Sequence, residues 1–238
     1  MKKPLRITLW IVAALLGLII IGAAIFIINF INATKDMTPG ETVAINDSVW
    51  CIRDRYVNCY IFRGKKDYLI VDAGIGGKNF INEMKKTGIS PDQVKTLLLT
   101  HTDGDHIGAT GLFKNATIYM HKDEEQMING TTGKMKYFKT IWKYGPYTLL
   151  SGNDTLTIDG LKIKIIYTPG HTPGSSCYVI GKDYLVTGDN LTVNSGVFDH
   201  FNEKFNMDTP RQVESLKSVP ASGSFKYILT GHGGVIRN

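Results

Sequence analysis

The sequence contains few cysteines, and its basic and acidic side chains nearly balance. Only 3 cysteines occur in 238 residues, and none has the CxxC spacing of a cysteine-based metal site. A disulfide between Cys51 and Cys59 across a hairpin is one interpretation, but we favour small side chains packed in a core for these two and Cys177. The 27 basic and 21 acidic side chains give a net charge of +6, which is too small to indicate binding to nucleic acid.

Charge is absent from residues 7–31, which form an almost continuously apolar run, ITLWIVAALLGLIIIGAAIFIINFI. The run is long enough to cross a bilayer as a helix, and it is longer than the apolar core of a secretory signal. Basic side chains cluster in residues 1–6, whereas only Lys35 follows the run closely, so the amino terminus is expected in the cytoplasm. The sequence therefore predicts a single-pass protein of the cell membrane. A cleavable signal ending near Ala33 is the alternative.

The remainder of the sequence is predicted to form a linker and one domain. The polar residues 32–47 are predicted to form the linker, and residues 48–238 are predicted to form an extracytoplasmic domain. Short apolar strands alternate there with helices, one of them over 107–114, and with glycine-rich turns, which indicates an α/β fold. An amphipathic piece, 134–144, interrupts this alternation. It predicts either a surface helix that packs its aromatic side chains inward, or a lid or a patch that binds a membrane or an anionic polymer.

The most informative stretch is 97–108, LLLTHTDGDHIG. A short apolar strand leads there into a turn that holds His101, Asp103, Asp105 and His106. Packing does not require four such side chains in six residues, whereas a divalent metal ion binds imidazole and carboxylate groups well. The alternative is a polar loop in which one of the aspartates caps the following helix.

Three further predicted strands are followed by a side chain that can bind a metal ion. Strand ends are where α/β sites are commonly built, because the sheet holds the loops in place. With the stretch 97–108 this makes four strand-end clusters, and four of the 6 histidines fall in them. His121 and His200 are predicted to lie on the surface. The strands and their candidate ligands are Leu161–Tyr167 with His171, Tyr184–Thr187 with Asp189, and Tyr227–Thr230 with His232.

Together these motifs resemble the metallo-β-lactamase fold superfamily, and the glyoxalase-II-like hydrolases in particular. The resemblance covers residues 48–238 and is carried by VDAG, HTDGDH, TPGHTPGS, TGDN and GHGG. It implies an αββα sandwich with two divalent metal ions at one edge. By the resemblance, the first ion is held by His101, Asp103 and His171, the second by Asp105, His106 and His232, Asp189 bridges the two, and Asp72 supports the site without binding metal.

One position departs from the family motif, because Asp103 stands where HxHxDH has its second histidine. A carboxylate also binds zinc, but it adds a negative charge and an oxygen donor. We therefore expect two divalent ions, zinc in the first place, with Mn²⁺ or Fe²⁺ as alternatives that Asp103 favours. The same HxDxDH variant occurs in the extracytoplasmic domain of bacterial DNA-uptake channels.

The mechanism that the resemblance implies needs neither a serine nor a cysteine nucleophile, and the sequence shows no motif for either. Two ions lower the pKa of a bridging water to about 7, so that hydroxide is present at neutral pH. That hydroxide attacks a carbonyl or phosphoryl centre, and Asp105 orients it or accepts its proton.

Three functions follow from these expectations. The first is a membrane-anchored metal-dependent hydrolase of an ester, thioester, lactone or amide. The second is a phosphodiesterase or nuclease acting on extracellular nucleic acid or a wall polymer, which the HxDxDH variant and the lysines of 134–143 favour. The third is a degenerate, non-catalytic module that binds metal. The expected partners are accordingly a small-molecule or polymer substrate, the membrane through residues 7–31, and nucleic acid only for the second function.

Overall fold

The computed structural model describes residues 3–35, 37–134, 139–194, 197–221 and 224–238. It divides into two compact units, Met1–Met37 and Thr38–Asn238. In the first unit a single helix, α1, runs over Lys3–Thr34. Its portion Ile7–Thr34 is long and apolar enough to cross a membrane, and its large apolar side chains are exposed, Trp10 at 76%. Helix α1 is therefore a candidate transmembrane span, since water does not stabilise so much exposed apolar surface.

The first sheet of the second unit contains seven strands in chain order. The strands β1 to β4 pair antiparallel, and the strands β4 to β7 pair parallel, so that β4 belongs to both sets. Parallel neighbours end at the same edge of a sheet, so the loops after β4 and β5 emerge side by side. The strands are β1 Val43–Asn46, β2 Val49–Asp54, β3 Val57–Arg63, β4 Tyr68–Val71, β5 Val94–Leu98, β6 Thr117–His121 and β7 Thr148–Leu150.

The second sheet contains six strands in the order β15-β14-β11-β10-β9-β8. Only β11 and β14 pair parallel, with Gly188 opposite Thr230, so the residues after these two strands also emerge at one edge. A separate hairpin of two strands, β12 and β13, follows β11. The bounds are β8 Thr155–Ile158, β9 Leu161–Tyr167, β10 Ser176–Ile180, β11 Tyr184–Gly188, β12 Leu191–Asn194, β13 Val197–His200, β14 Tyr227–Thr230 and β15 Gly234–Arg237.

The two sheets pack face to face, and helices cover their outer faces. The apolar cluster between the sheets joins Tyr60 and Val71 of the first to Tyr178 and Leu229 of the second. Six consecutive buried residues in β3 fit a strand that is covered on both faces. The predicted αββα sandwich is confirmed. The helices of this unit are α2 Gly77–Lys86, α3 Gly104–Ile107, α4 Glu125–Ile128 and α5 Thr209–Leu216.

The stretch 32–47 is more ordered than its polar composition predicts. The helix α1 continues to Thr34, and β1 lies within the predicted linker. Gly40 donates its N–H to Asn58 Oδ1 at 2.8 Å and accepts from Asn58 Nδ2 at 2.9 Å. A buried side chain thus satisfies backbone groups that composition alone assigns to solvent.

The predicted helix over 107–114 is wrong, because α3 ends after a single turn at Ile107. Gly108 donates its N–H to Gly74 O at 2.7 Å. A Cβ atom at Gly108 would lie 2.0 Å from Ile75 O, so the backbone passes too closely for any larger residue. The chain here binds the glycine-rich segment after β4 instead of continuing a helix.

The predicted amphipathic helix over 134–144 falls partly on residues 135–138, which lie outside the described residues. The described residues 139–144 are not helical. Ile141 forms an isolated antiparallel bridge with Asn129, while Trp142 and Tyr144 pack against the core cluster under the first sheet. Trp142 and Tyr144 pack inward as predicted, although the chain that carries them is not helical.

Cys51 and Cys59 are free and buried, as is Cys177. In the β2–β3 pair, Cys51 lies opposite Tyr60 and Cys59 lies opposite Ile52. The two cysteines are therefore offset by one residue and point to opposite faces of the sheet, which prevents a disulfide between them. The interpretation as small core residues is confirmed.

Candidate metal centre

The seven side chains predicted as metal ligands converge at one edge of the sandwich. The loops after β5, β9, β11 and β14 carry them, and the short helix α3 carries two. Each of the four histidines is at most 5% exposed, and Asp189 is 4% exposed. Only Asp103 and Asp105 are partly open, with 20% and 22% of their side-chain surface exposed. The site is thus buried and polar, with one face toward solvent.

The first group of ligand atoms comes from His101, Asp103 and His171, which lie within 4.8 Å of one another. Asp103 Oδ2 is 3.1 Å from His171 Nε2 and 3.5 Å from His101 Nε2. Asp103 stands at the N-cap position of α3 but makes no side-chain capping bond. Its carboxylate points to the histidines, so the capping alternative does not hold for Asp103.

The second group comes from Asp105, His106 and His232, again within 4.8 Å of one another. Asp105 Oδ2 lies 3.5 Å from His232 Nε2 and 4.0 Å from His106 Nε2. One helical turn separates Asp103 from His106. This turn directs Asp103 to the first group and His106 to the second group.

Asp189 lies between the two groups. Its Oδ1 is 3.2 Å from His106 Nε2, and its Oδ2 is 3.0 Å from His232 Nε2 and 3.5 Å from His171 Nε2. A single carboxylate at the end of β11 therefore reaches both groups.

Three of the four imidazole rings are oriented by partners that can only accept a hydrogen bond. Each ring must donate from Nδ1, and in the neutral ring this leaves the lone pair on Nε2 directed into the site. Such outer partners typically fix the rings of metal-binding histidines. The partners are Asp72 Oδ2 for His106 at 2.9 Å, Asn206 Oδ1 for His171 at 3.0 Å, and Tyr56 O for His232 at 2.6 Å.

The fourth ring, His101, is oriented by Thr100. The Thr100 hydroxyl donates its single proton to Asp72 Oδ2 at 2.8 Å, so toward His101 Nδ1, at 3.0 Å, it can only accept. Asp72 also accepts from the backbone N–H of Thr100. Asp72 thus orients two of the four rings, the supporting place that the resemblance implies for it.

The arrangement fits a divalent cation. Among the described residues, the buried atoms His101 Nε2, His106 Nε2 and Asp189 Oδ1 have no hydrogen-bond partner. Lone pairs that face one another at about 3 Å repel unless a proton or a metal ion lies between them. Imidazole nitrogens with carboxylate oxygens are a donor set that suits zinc and similar ions.

Charges inside the site shift its pKa values in opposite directions. Burial opposes ionisation of Asp189, but the neighbouring His232 and His106 hold its pKa well below the usual range. Burial favours neutral His106, but the carboxylates of Asp189 and Asp72 raise its pKa well above the usual range. Burial, followed by the nearby ammonium of Lys134, lowers the pKa of His171 to about 4. The site therefore favours the ionised form of Asp189.

Glu124 is a functional candidate that the sequence did not reveal. It is fully buried, and its Oε1 accepts from both the N–H and the hydroxyl of Thr102 at 2.8 and 2.7 Å. Its Oε2 accepts from Thr172 Oγ1 at 2.7 Å and from Gly174 N at 2.9 Å. One carboxylate thus ties the loop of His101 to the loop of His171. No spacing signal connects residues so far apart in sequence.

The two histidines predicted to lie on the surface differ. His121 is only 2% exposed, so the prediction is wrong for this residue. Its ring stacks on Tyr167 with centroids 4.1 Å apart, and its Nδ1 accepts from Asp123 N. His121 is the last residue of β6, and its imidazole serves there in stacking rather than in metal binding. His200 is partly exposed and pairs with Asp199 at 2.9 Å.

Fold and site together define a class: an αββα sandwich with histidine and aspartate side chains gathered for metal binding at one edge. The chain belongs to the metallo-β-lactamase superfamily, whose family model matches residues 52–232. Members of this superfamily bind divalent metals, typically zinc.

Individual relatives agree with this assignment. A probable metallo-hydrolase of Methanocaldococcus jannaschii is 31% identical over 156 residues, which cover 66% of this chain and 65% of that protein. An N-acyl homoserine lactonase of Bacillus thuringiensis is 24% identical over 168 residues, 60% of this chain and 61% of the lactonase. A metallo-β-lactamase family protein of Thermus thermophilus has the same fold, with a TM-score of 0.60 at 20% identity over 82% of this chain and 76% of its own.

Proposed function

We propose that this chain is a membrane-anchored, metal-dependent hydrolase of an ester, thioester, lactone or amide. The observation that carries the proposal is the orientation of four histidine rings, each held at Nδ1 and directed through Nε2 at shared carboxylates. A degenerate module would not need to retain this complete arrangement. We assign His101, Asp103 and His171 to a first metal position, Asp105, His106 and His232 to a second, and Asp189 to both.

The bound ions, zinc by the chemistry of the donors, would supply hydroxide at neutral pH and polarise the oxygen that gains charge during attack. The chain's own residues hold and orient the reacting groups. Asp105 is the catalytic residue in this proposal, since its side chain is 22% exposed on the open face of the site. It orients the nucleophile and accepts its proton.

The state of the three cysteine thiols agrees with direct attack by water, without a covalent intermediate on the protein. Burial raises the pKa of Cys177 and Cys51 to about 12 and that of Cys59 well above the usual range. A thiol that stays protonated is a poor nucleophile. None of the three cysteines is therefore assigned a role in the reaction.

Carbonyl substrates are favoured over phosphodiesters by two observations. A lactonase is among the relatives, and the rings of Phe201 and Tyr56 stack against His232, which suits an apolar acyl group. The lysines that favoured a polymer substrate are partly engaged, since Lys139 donates to Gly130 O and Thr131 O at 2.7 and 3.1 Å. Phosphodiester hydrolysis is kept as the competing outcome of the test.

We place residues 7–31 across the cell membrane with the amino terminus in the cytoplasm and the catalytic domain outside. The support is the exposed apolar surface of α1 and the basic residues that precede its apolar run. A reporter enzyme that works only outside the cytoplasm, fused after Asn238, should be active. Activity of a cytoplasm-only reporter at that position would refute the orientation.

Substrate hydrolysis tests the reaction. The full chain in detergent, loaded with Zn²⁺, Mn²⁺ or Fe²⁺, should hydrolyse p-nitrophenyl acetate or a lactone faster than bis-p-nitrophenyl phosphate. Asp105→Asn should lower kcat by about 10²- to 10⁴-fold, as for loss of a general base. Asp92→Asn is the matched control, because Asp92 is exposed in the turn before β5, at the opposite end of the strand from the site. Turnover of the phosphodiester alone would favour a phosphodiesterase, and no turnover with any metal would contradict the proposal.

A further inference from the structure

Lys134 lies inside the first group of candidate ligands, although the sequence placed it only in a lysine patch. Its Nζ contacts Asp103 Oδ2 and lies 2.8 Å from His171 Nε2. The Lys134 side chain is 25% exposed and that of Asp103 is 20% exposed. A side chain from outside the strand-end loops therefore places a positive charge among the ligand atoms.

The acceptors around Lys134 require a cation. His171 donates from Nδ1 to Asn206 Oδ1, so its Nε2 presents a lone pair. Asp103 Oδ2, only 3.1 Å from that nitrogen, presents another. An ammonium group has three donors and no acceptor, so it can satisfy both atoms at once. It takes the place that a metal ion would take between the same two ligands.

The balance of charge distinguishes the two groups. Asp103 stands where the family motif has a neutral histidine, which adds a negative charge to the first group, and Lys134 supplies the opposite charge. In the part of the chain that the structure describes, every ion-pair partner of Asp105 and Asp189 is a histidine. The first group thus contains an ammonium group of its own, whereas the carboxylates of the second group pair with histidines alone among the described residues.

We propose that the Lys134 ammonium occupies the first metal position, so that the second position binds a divalent ion first and the first position fills only when Lys134 withdraws. The ammonium and the ion exclude each other, because like charges about 3 Å apart repel strongly. The long, partly exposed side chain of Lys134 allows the ammonium to move into solvent by bond rotation. This inference rests on the proposed function, since it concerns the same two metal positions.

Zinc binding by the full chain in detergent tests the role of Lys134. Metal-free protein is titrated with Zn²⁺ alone, and calorimetry with elemental analysis gives the affinity and number of bound ions. Lys134→Met removes the charge and keeps the length of the side chain, whereas Lys134→Arg retains the charge. Lys139→Met is the matched control, because it removes a lysine that bonds only backbone carbonyls among the described residues.

The parent should bind one zinc ion at least about tenfold more tightly than the second. Lys134→Met should bind the second ion at least about tenfold more tightly than the parent does, and the other two variants should match the parent. Two ions of equal affinity in the parent, or an unchanged second ion in Lys134→Met, would overturn the role of Lys134 and leave the proposed function standing. Loss of turnover in Lys134→Met with unchanged zinc binding would overturn it too, and would assign Lys134 to the substrate. No zinc binding by any of the chains would overturn both proposals.

Discussion

Asp72 shows how one residue outside the ligand set controls the site. It has a left-handed backbone, with φ of 61°, and its carboxylate accepts from Thr100 N, Thr100 Oγ1 and His106 Nδ1. A carboxylate suits this place because all three neighbours are donors. The residue before the glycine-rich turn therefore determines which nitrogen of His106 faces the other candidate ligands.

Replacing Asp72 with asparagine should weaken zinc binding by about 10- to 100-fold, the usual cost of losing such a partner. Asparagine tolerates the left-handed backbone, but its NH₂ group must oppose either Thr100 or His106. Competition with a chromophoric chelator measures the affinity, and Asp92→Asn serves as the exposed control. Unchanged zinc affinity in Asp72→Asn would show that the ring of His106 is held by other means.

The candidate ligands could be predicted from the sequence because each follows an apolar strand and lies within two residues of a glycine or another ligand. Glu124, Asn206 and Lys134 could not, since none has such a signal. Asn206 reaches His171 from the segment between β13 and α5. Glu124 reaches the neighbouring Thr172 from the turn after β6. These residues act through tertiary contacts, which spacing along the chain does not record.

At the scale of elements, the site depends on loops that are tied together. The 3₁₀ turn Lys122–Glu124 follows β6 and carries a buried carboxylate with four donors from two other loops. Gly174 must be glycine here, because a Cβ atom would lie 2.2 Å from Glu124 N. The turn thus sets the spacing between His101 and His171.

Glu124→Gln should lower the free energy of unfolding by about 2–4 kcal/mol. The substitution replaces one acceptor oxygen by an NH₂ donor, which then faces two N–H or O–H groups. Urea denaturation of the full chain measures this change. Glu125→Gln is the neighbouring control, since Glu125 is only partly buried and accepts from Tyr147 OH alone among the described side chains; it should cost less than about 1 kcal/mol. Equal losses in the two variants would contradict the cross-linking role.

Strands that are bounded by glycine or proline turns were predicted closely. Elements that depend on pairing with distant residues were not. The strand over Leu161–Tyr167 was predicted with its observed bounds, whereas β1 and β7 each lie in stretches without a strand pattern. The strand β7 needs β6 as its parallel partner, and the one-turn helix α3 needs the backbone of Gly74. The residues of β7 and α3 alone therefore do not reveal these two elements.

At the scale of the whole molecule, the buried thiols link stability to pH. In the unfolded chain a cysteine ionises with a pKa of about 8.5, whereas burial raises the pKa of Cys51 and Cys177 to about 12 in the folded chain. The stability that these groups contribute is therefore complete below about pH 8.5 and is lost as the pH rises toward 12.

The free energy of unfolding should fall above about pH 9 by up to about 1.4 kcal/mol per pH unit for each buried thiol. Urea titrations at pH 7, 8.5 and 10 measure the fall. Cys177→Ala should show a shallower slope, whatever its stability at pH 7. Identical slopes in the parent and in this variant would show that the Cys177 thiol does not contribute.

The αββα architecture was predictable from the order of strands, glycine turns and ligands, because these motifs occur in the same order as in the family. The substrate was not, since loop side chains such as Phe201 and Tyr56 line the site and carry no class-specific pattern. The relation between the two groups of ligands depends on Asp189, the side chain that reaches both.

Metal content of the full chain with and without Asp189→Asn tests the central claim most directly. Protein purified in detergent without chelator and saturated with zinc should hold two ions, one of them tightly, by elemental analysis. Asp189→Asn should lose most of this metal, because both groups lose their shared carboxylate, whereas Asp47→Asn, in an exposed turn, should match the parent. Absence of metal from the parent after incubation with zinc, manganese or iron, or full retention of metal in Asp189→Asn, would contradict the account.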